Sequence, residues 1–437
     1  MPADEGATGG VTMAAGRRIG LLGVGTVGGG VLAAIRGEAG AALVRAAGGP
    51  VEVAAILVRD PAKPRAGVPA ELLTTDPARI VGNPAIPVVV EVMGGEQPAA
   101  DYLAAALAAG QHVVTANKEA LAKHGPRLFA LARERGVQLR FEASVGGGIP
   151  LMAALRALLA ANRITQVRAI INGTTNYILT SMAEAGQPYA EALAAAQQLG
   201  YAEPDPTADV EGYDAVYKLA VLASICFGQA VHPDQIGRQG ITGIQAADLH
   251  QAAALGHAVK LLAVARRDEA GITASVAPVL LPKSDLLAGV GGVFNAVQLD
   301  GDLVGRVLLS GRGAGPGPTA SAILGDVAAI LSGAGGDVLI APATEGARPV
   351  ASGADAPAPH YLRVPIATPA DAERARPFVA AALGPGGVTS LTATPRPGGL
   401  DLVIVTGPVP AGRATAAVAA LRPLAAAGPA TVLRIEQ

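Results

Sequence analysis

The stretch GYAEPDPTADVEGYDAVYK, residues 200–218, gathers five acids and one lysine in a chain of 437 residues that is only 16% charged. Asp214 and Lys218 stand four apart in EGYDAVYKLAVLASICFG, where apolar residues recur at helical intervals, so the two share one helix face. That pair alone reads as a surface salt bridge. Glu203, Asp205 and Asp209 arrive on a loop stiffened by Pro204 and Pro206, which suits it to fixing side-chain positions. Several carboxylates facing one lysine make a place for an amino group beside a proton donor. A solvated acidic loop followed by a helix ion pair is the alternative that spacing leaves open.

A second lysine, Lys118 in VVTANKEAL, follows a strand pattern and opens a helical one. Hydride transfer to an aldehyde generates an alkoxide that must be protonated, and a lysine beside a nicotinamide can do so. A free lysine titrates near about 10.4, so burial or a cationic neighbour must lower it for work near neutrality. An ordinary first-turn helix residue is the other reading of Lys118.

The elements that position these groups begin with RRIGLLGVGTVGGGVLAAI, an apolar run, a glycine turn and a helical pattern. Gly23, Gly25 and Gly28 fall in GxGxxG register: the first permits the turn, the second lets backbone N–H groups approach a pyrophosphate, and the third lets helix pack on strand. Strand patterns at VEVAAILVRD, PVVVEVMGG, QHVVTAN and VQLRFEAS then alternate with helical ones at DYLAAALAAG and KEALAKHGPRLFALARERG. That order implies parallel βαβ units and a Rossmann-like nucleotide-binding domain in an α/β chain, with ligands beyond the carboxyl ends of the strands. The second strand ends in Arg59-Asp60, with Lys63 and Arg65 just beyond. An acid there grips the ribose of NAD and an arginine the 2′-phosphate of NADP; the cationic cluster tips the reading toward NADP.

After residue 145 the alternation stops. GGGIPLMAALRALLAANRI is a glycine hinge and helix, TQVRAII a strand, and NGTTNYILTSMAEAG a further helix. Strand patterns at 258–267, 272–282, 295–302 and 305–310 predict an α+β catalytic and dimerisation domain with an open mixed sheet. The last eighty residues read strand, helix, strand, strand, helix, strand. The expected divisions are a loose leader at 1–16, the dinucleotide-binding domain at 17–145 with 311–340, the catalytic domain at 146–310, a linker at 341–358 and a βαββαβ module at 359–437.

Composition narrows the partners. A net charge of −2 carries no concentrated basic surface for nucleic acid or an anionic membrane, and no charge-free apolar run reaches the roughly 20 residues of a membrane span. Small molecules and copies of the same chain are the expected partners. Cys226 is the only cysteine, which excludes a disulfide framework and fits a reducing cytoplasm, and the six histidines form no zinc-binding motif.

The stretches GVGTVGGGV, VTANKEAL, NGTTNYIL, GYAEPDPTADVEGYDAVYKL and GRGAGPGPTASAI, in this order and at these separations, resemble homoserine dehydrogenase over residues 17–335, in its monofunctional form. The resemblance implies reversible NAD(P)-dependent reduction of L-aspartate 4-semialdehyde to L-homoserine in the pathway to threonine and methionine. It assigns Glu203 and Asp214 to the substrate's amino and hydroxyl ends, Lys218 to proton transfer, Lys118 to the edge shared by nicotinamide and substrate, and Asp209 to support of Lys218. Gly173 and Thr174 become further substrate contacts. Gly23, Gly25, Thr26, Val27, Gly28, Arg59, Met93, Lys118 and Gly315 become cofactor contacts, with Gly313 and Gly315 letting the returning chain approach the nucleotide. It also implies a sodium or potassium ion held by Glu142 and the carbonyls of Val145, Gly147 and Ile149, and a sheet that extends across the interface of a homodimer or homotetramer. The C-terminal module resembles an ACT domain, although ATPADAER replaces the usual Asp-x-Pro-Gly-Val turn, which puts effector binding in doubt.

Two rivals remain. Aspartate-semialdehyde dehydrogenase needs a reactive thiolate, and Cys226 in VLASICFGQA reads as core. A non-catalytic NADP-binding sensor with an ACT-like tail has no need of both lysines.

Overall fold

The computed structural model describes residues 17–334, 347–353 and 356–436, and the expected leader lies outside them. The chain divides into two compact units, 17–120 with 126–143 and the segment from Gly315, and the rest.

The first unit runs β1 (Arg18–Leu22), α1 (Thr26–Arg36), α2 (Ala39–Ala47), β2 (Glu52–Leu57), β3 (Leu73–Thr74), β4 (Val88–Glu91), α3 (Ala99–Ala108), β5 (His112–Thr115), α4 (Lys118–Glu134) and β6 (Leu139–Arg140). Its six strands lie in the order β3-β2-β1-β4-β5-β6, every pair parallel. This is the Rossmann order, with the crevice where the order reverses between β1 and β4. β4 is VVVE with all four residues buried, as expected of a strand covered on both faces. The strand pattern at 137–144 is cut short: pairing ends at Arg140 and Glu142–Ser144 turns into a 3-10 helix, its entry fixed by Asp326 Oδ2 accepting from the Glu142 N–H (2.8 Å).

The second unit begins with α5 (Leu151–Leu159), β7 (Ile164–Ile170), α6 (Gly173–Ala185), α7 (Tyr189–Gln198), α8 (Thr207–Val210), α9 (Tyr213–Phe227), β8 (Gly237–Arg238), α10 (Ala246–Ala254), β9 (His257–Arg267), β10 (Ile272–Pro282), β11 (Phe294–Gly301) and β12 (Gly305–Arg312). The chain then returns to the first unit as α11 (Pro316–Leu331). There α11 lies so close to α1 that a Cβ on Gly30 would meet the Pro316 carbonyl oxygen at 2.8 Å. A mid-helix glycine costs about 1 kcal/mol against alanine, and this contact is what it makes possible.

Back in the second unit come β13 (Val350–Ser352), β14 (His360–Ile366), α12 (Pro369–Leu383), β15 (Val388–Arg396), β16 (Gly399–Thr406), α13 (Ala411–Ala420) and β17 (Thr431–Ile435). The sheet order is β12-β11-β7-β9-β10-β17-β14-β16-β15, mixed and open at both ends. One edge of β10 pairs throughout with β9, and its other edge is shared by three parallel segments, β13, β8 and β17. The C-terminal βαββαβ segment thus continues the sheet through β17, and part of the segment expected as linker forms β13.

A buried ionic cluster joins the two halves of this sheet. Asp248 on α10 is 0% exposed, accepts from Arg363 Nε (2.6 Å) and Thr431 Oγ1 (3.0 Å), and caps its own helix at the Gln245 N–H (2.8 Å).

Candidate active site

At the carboxyl end of β1 the chain makes its glycine turn. Gly23 has φ +101°, a left-handed-side conformation that a side chain resists, and its N–H is held by the Leu57 carbonyl (3.1 Å). A Cβ on Gly28 would lie 2.5 Å from the Gly23 carbonyl oxygen, whereas one on Gly25 would meet nothing within 4 Å. Glycine at 28 is therefore demanded by the protein's own packing. Gly25 instead leaves open the space into which the first N–H groups of α1 point, with Thr26 exposed and Val27 half-buried beside it. That cradle fits a dinucleotide pyrophosphate.

Across the crevice, Glu91 ends β4 fully buried and accepts from the N–H groups of Met93 (2.7 Å) and Gly94 (3.2 Å) and from Thr115 Oγ1 (2.6 Å). Burial raises its pKa, against the pull of those hydrogen bonds. Asn117 caps α4 by accepting from the Ala120 N–H (3.0 Å) and donates to the Gly95 carbonyl (2.7 Å). Lys118, the first residue of α4, is placed by that cap at the carboxyl end of the sheet. Glu91, Thr115 and Asn117 went unread in the sequence; an Asn directly before KEAL is a capping signal that marks the last of them.

Past the end of β2, Arg59 is exposed, while Arg65 is spent on the carbonyls of Asp60 (2.9 Å) and Lys63 (2.8 Å). Asp60 accepts from the Ala62 N–H (2.9 Å). Arg65 thus shapes the loop that carries Arg59 and Lys63. Gly315, φ +117°, sits immediately before α11.

In the second unit the acids of residues 200–218 separate into two groups. Asp209 and Asp214 converge on Asn172, whose Nδ2 donates to Asp209 Oδ1 (2.6 Å) and Asp214 Oδ2 (2.9 Å). Asn172 is itself fixed as the cap of α6, accepting from the Thr175 N–H (2.8 Å) and hydroxyl (2.9 Å). Lys218 Nζ donates to the same Asp214 Oδ2 (2.6 Å) and to the Ile171 carbonyl (2.8 Å), with the side chain 13% exposed. Gly173 opens α6, and Thr174 ties it to the 200s loop through the Tyr201 carbonyl (2.7 Å). Burial first, then the negative charge of Asp214, raises the pKa of Asp209; the Asn172 hydrogen bond and Lys218 oppose the rise.

Glu203 stays exposed on the loop, where its carbonyl accepts from Gln197 Nε2 (3.2 Å), and Asp205 is exposed and receives the Thr207 N–H (3.1 Å). Glu211 belongs to a strap: Thr242 Oγ1 donates to its carboxylate (2.9 Å), the Ile241 N–H to the Val210 carbonyl (2.8 Å), and the Arg238 guanidinium lies 3.8 Å from the Tyr213 ring centroid. This strap holds the turn between α8 and α9, where Gly212 has φ +83°, so that Asp209 before the turn and Asp214 after it reach the same asparagine.

The residues expected at a cation divide between the units, Glu142 in the first and Val145, Gly147 and Ile149 in the second, all of them buried. Among the described residues no group of three or more His, Cys, Asp or Glu side chains is arranged to hold a metal ion. Cys226 is buried in α9, its thiol pushed up to about 12 by burial, which removes it as a nucleophile. Among the described residues no single helix is long and apolar enough to cross a membrane.

Two family models match this chain: homoserine dehydrogenase over residues 150–328, and the homoserine dehydrogenase NAD binding domain over residues 23–142. A homoserine dehydrogenase of Pseudomonas aeruginosa is 46% identical over 314 residues, 72% of each chain, and one of Bacillus subtilis is 41% identical over 80% of this chain and 81% of its own. Among solved structures, a homoserine dehydrogenase from Thiobacillus denitrificans superposes with a TM-score of 0.86 at 38% identity, covering 96% of this chain and 98% of that one. A hyperthermophilic archaeal homoserine dehydrogenase in complex with NADPH matches with a TM-score of 0.62 at 28% identity, over 72% of this chain and 97% of that one. With a Rossmann sheet, a mixed second sheet and a partly buried lysine among acids in the matched segments, this chain belongs to the homoserine dehydrogenase family.

Proposed function

We propose that Lys218 moves the proton in the reaction of this enzyme, the reversible NAD(P)-dependent reduction of L-aspartate 4-semialdehyde to L-homoserine. The observation that carries the reading is the partly buried Lys218 side chain, its Nζ held between Asp214 and the Ile171 carbonyl, with Asp209 and Asp214 on the same asparagine. When bound, the nicotinamide supplies or accepts the hydride. As the aldehyde carbon gains that hydride, its oxygen becomes an alkoxide and takes a proton from the Lys218 ammonium; in reverse the neutral amine takes the hydroxyl proton. Asp209, Asp214 and the exposed Glu203 receive the substrate's ammonium. Lys118, fixed by the Asn117 cap, serves the edge of the nicotinamide.

Arg59 selects NADP by pairing with the 2′-phosphate, supported by its exposure at the end of β2 while Arg65 is spent within the loop. Assembly is as a homodimer or a larger homo-oligomer through the open edge strand β12, supported by the exposed Leu303, Val304 and Phe294 around it. A steady-state assay with L-homoserine and NADP or NAD, with and without potassium or sodium, tests the reading. Homoserine-dependent formation of reduced nicotinamide, faster with NADP, is expected, and a salt response reports the cation. Cofactor binding with no reduction would turn the protein into a sensor.

A further inference from the structure

Glu91, the last residue of β4, is 0% exposed, and the groups that donate to it are neutral. The N–H groups of Met93 (2.7 Å) and Gly94 (3.2 Å) meet on Oε1, and the Thr115 hydroxyl (2.6 Å) meets Oε2. Thr115 Oγ1 itself accepts from the Asn117 N–H (3.0 Å), which turns its proton toward the carboxylate. Donors at both oxygens suit an ionised carboxylate, since a protonated one has a proton of its own to place. Burial works against that charge and outweighs the hydrogen bonds that favour it. A carboxylate held in this way, by dipoles and no cation of its own, is stabilised further by a positive charge that arrives with a ligand.

The place of Glu91 in the sheet says which ligand. The glycine turn after β1 is the pyrophosphate cradle, with β2 and its Arg59 on one side of β1 and β4 on the other. A dinucleotide whose adenosine end runs toward β2 therefore has its nicotinamide end on the β4 and β5 side. The segment after Glu91 is open for it. A Cβ on Gly23 would lie 3.2 Å from the Met93 Cα, so this segment abuts the glycine turn. Gly94 (φ +71°) and Gly95 (φ +73°) are exposed, and a Cβ on either would meet nothing within 4 Å. At its other end Asn117 holds the Gly95 carbonyl (2.7 Å), and Lys118 follows directly. Glu91 thus anchors the stretch that runs from the glycine turn to Lys118.

We infer that Glu91 sets the enzyme's preference between the two redox forms of its cofactor: its buried carboxylate favours the positively charged oxidised nicotinamide over the neutral reduced one, without touching either. This rests on the proposed function, in which the nicotinamide lies beside Lys118. The Lys118 ammonium at that edge disfavours a cationic ring, and Glu91 offsets it. During reduction of the aldehyde, positive charge grows on the ring as negative charge grows on the substrate oxygen. Glu91 stabilises the first and Lys218 the second, both from positions fixed before the reaction.

The test measures binding alone, by calorimetry on the full-length enzyme, for the oxidised and the reduced form of whichever cofactor, NADP or NAD, turns over faster. Glu91→Gln keeps the shape and the acceptor for Met93 and Gly94 and removes the charge. The Kd of the oxidised form should rise about 5- to 30-fold relative to that of the reduced form, the order of one unit-charge pair at an effective dielectric of about 20. A role confined to shaping the Met93–Gly95 segment would weaken both forms alike and leave the ratio unchanged. Thr115→Val keeps the volume and removes the donor to Oε2, which raises the protonated fraction of Glu91. It should move the ratio the same way by at least about threefold, and it decides the matter if the Gln variant does not fold. A ratio of the two Kd values within about twofold of that of the unmodified enzyme, inside the scatter of independent sites, overturns the inference. An unmodified enzyme that binds both forms and is inert toward homoserine overturns the proposed function instead, so the two failures are told apart.

Discussion

Replacing Lys218 by Met keeps the aliphatic stem along α9 and removes the ammonium. In the structure that ammonium donates to Asp214 Oδ2 at 2.6 Å and to the Ile171 carbonyl at 2.8 Å, from a side chain 13% exposed to a carboxylate 8% exposed. Removing one partner of a buried ion pair costs about 3–5 kcal/mol, and losing one hydrogen bond to a charged group about 1.5–3 kcal/mol. Asn172 still donates to the same Asp214 oxygen, at 2.9 Å, so the lower range applies to the second unit. Turnover should fall by about 10²- to 10⁴-fold, the usual worth of positioned proton transfer. Lys218→Arg separates the two effects, because a guanidinium keeps the ion pair yet does not give up its proton. Its stability should be near that of the unmodified enzyme and its homoserine oxidation as poor as that of the Met variant. Denaturant unfolding gives the stability, nicotinamide absorbance gives the turnover, and fluorescence titration with NADP confirms that the cofactor still binds. A folded Met variant with turnover within a few-fold of the unmodified enzyme at every pH would refute the proton-transfer role.

Arg59→Ala should weaken NADP binding by about 1.5–3 kcal/mol and leave NAD nearly unaffected, measured by calorimetry; equal losses would assign the side chain to folding of its loop. Asp209→Asn should raise the thermal midpoint at pH 7 while raising the KM for homoserine. The folded state raises the Asp209 pKa, chiefly by burial, so it loses stability as pH climbs out of the ordinary carboxylate range, and the gain from Asn should vanish in melts near pH 4. A lower midpoint at pH 7 would contradict this. Lys260, buried on β9 and donating to the Val290 carbonyl (2.6 Å) and Asn176 Oδ1 (3.2 Å), is lowered by burial from 10.5 to about 8. Its unfolded form binds the proton more tightly, so stability should rise between about pH 8 and 10.5, and Lys260→Met should flatten that rise in pH-dependent unfolding.

What the sequence disclosed and what it hid follow one physical line. The glycine turn, the buried VVVE strand and the helix carrying Asp214 and Lys218 are written locally, in period and in backbone demands, and each lies where its pattern places it. Asn172 escaped notice because an asparagine between strand and helix is fully explained as a cap, and its second task depends on residues 37 and 42 positions away. β8 and β13, two and three residues long, are too short to show a period, and they exist because β10 has an edge to cover. The continuity of the sheet through β17 is likewise a long-range pairing that no local pattern records.

The concentration of acid in residues 200–218 has a divided explanation. Glu203 and Asp205 remain on the surface of the loop, Asp205 holding its turn, and Glu211 anchors the strap. Only Asp209 and Asp214 are drawn together, and they meet on a single amide nitrogen with one lysine alongside. With all three ionised, the cluster carries one net negative charge in a place where burial already disfavours the Asp209 carboxylate. An incoming ammonium offsets that charge and relieves the repulsion between the two acids, whereas an incoming anion aggravates it. On the proposed reading the electrostatic strain is a selectivity device: it favours a substrate bearing an amino group while Asp214 holds the Lys218 ammonium in place.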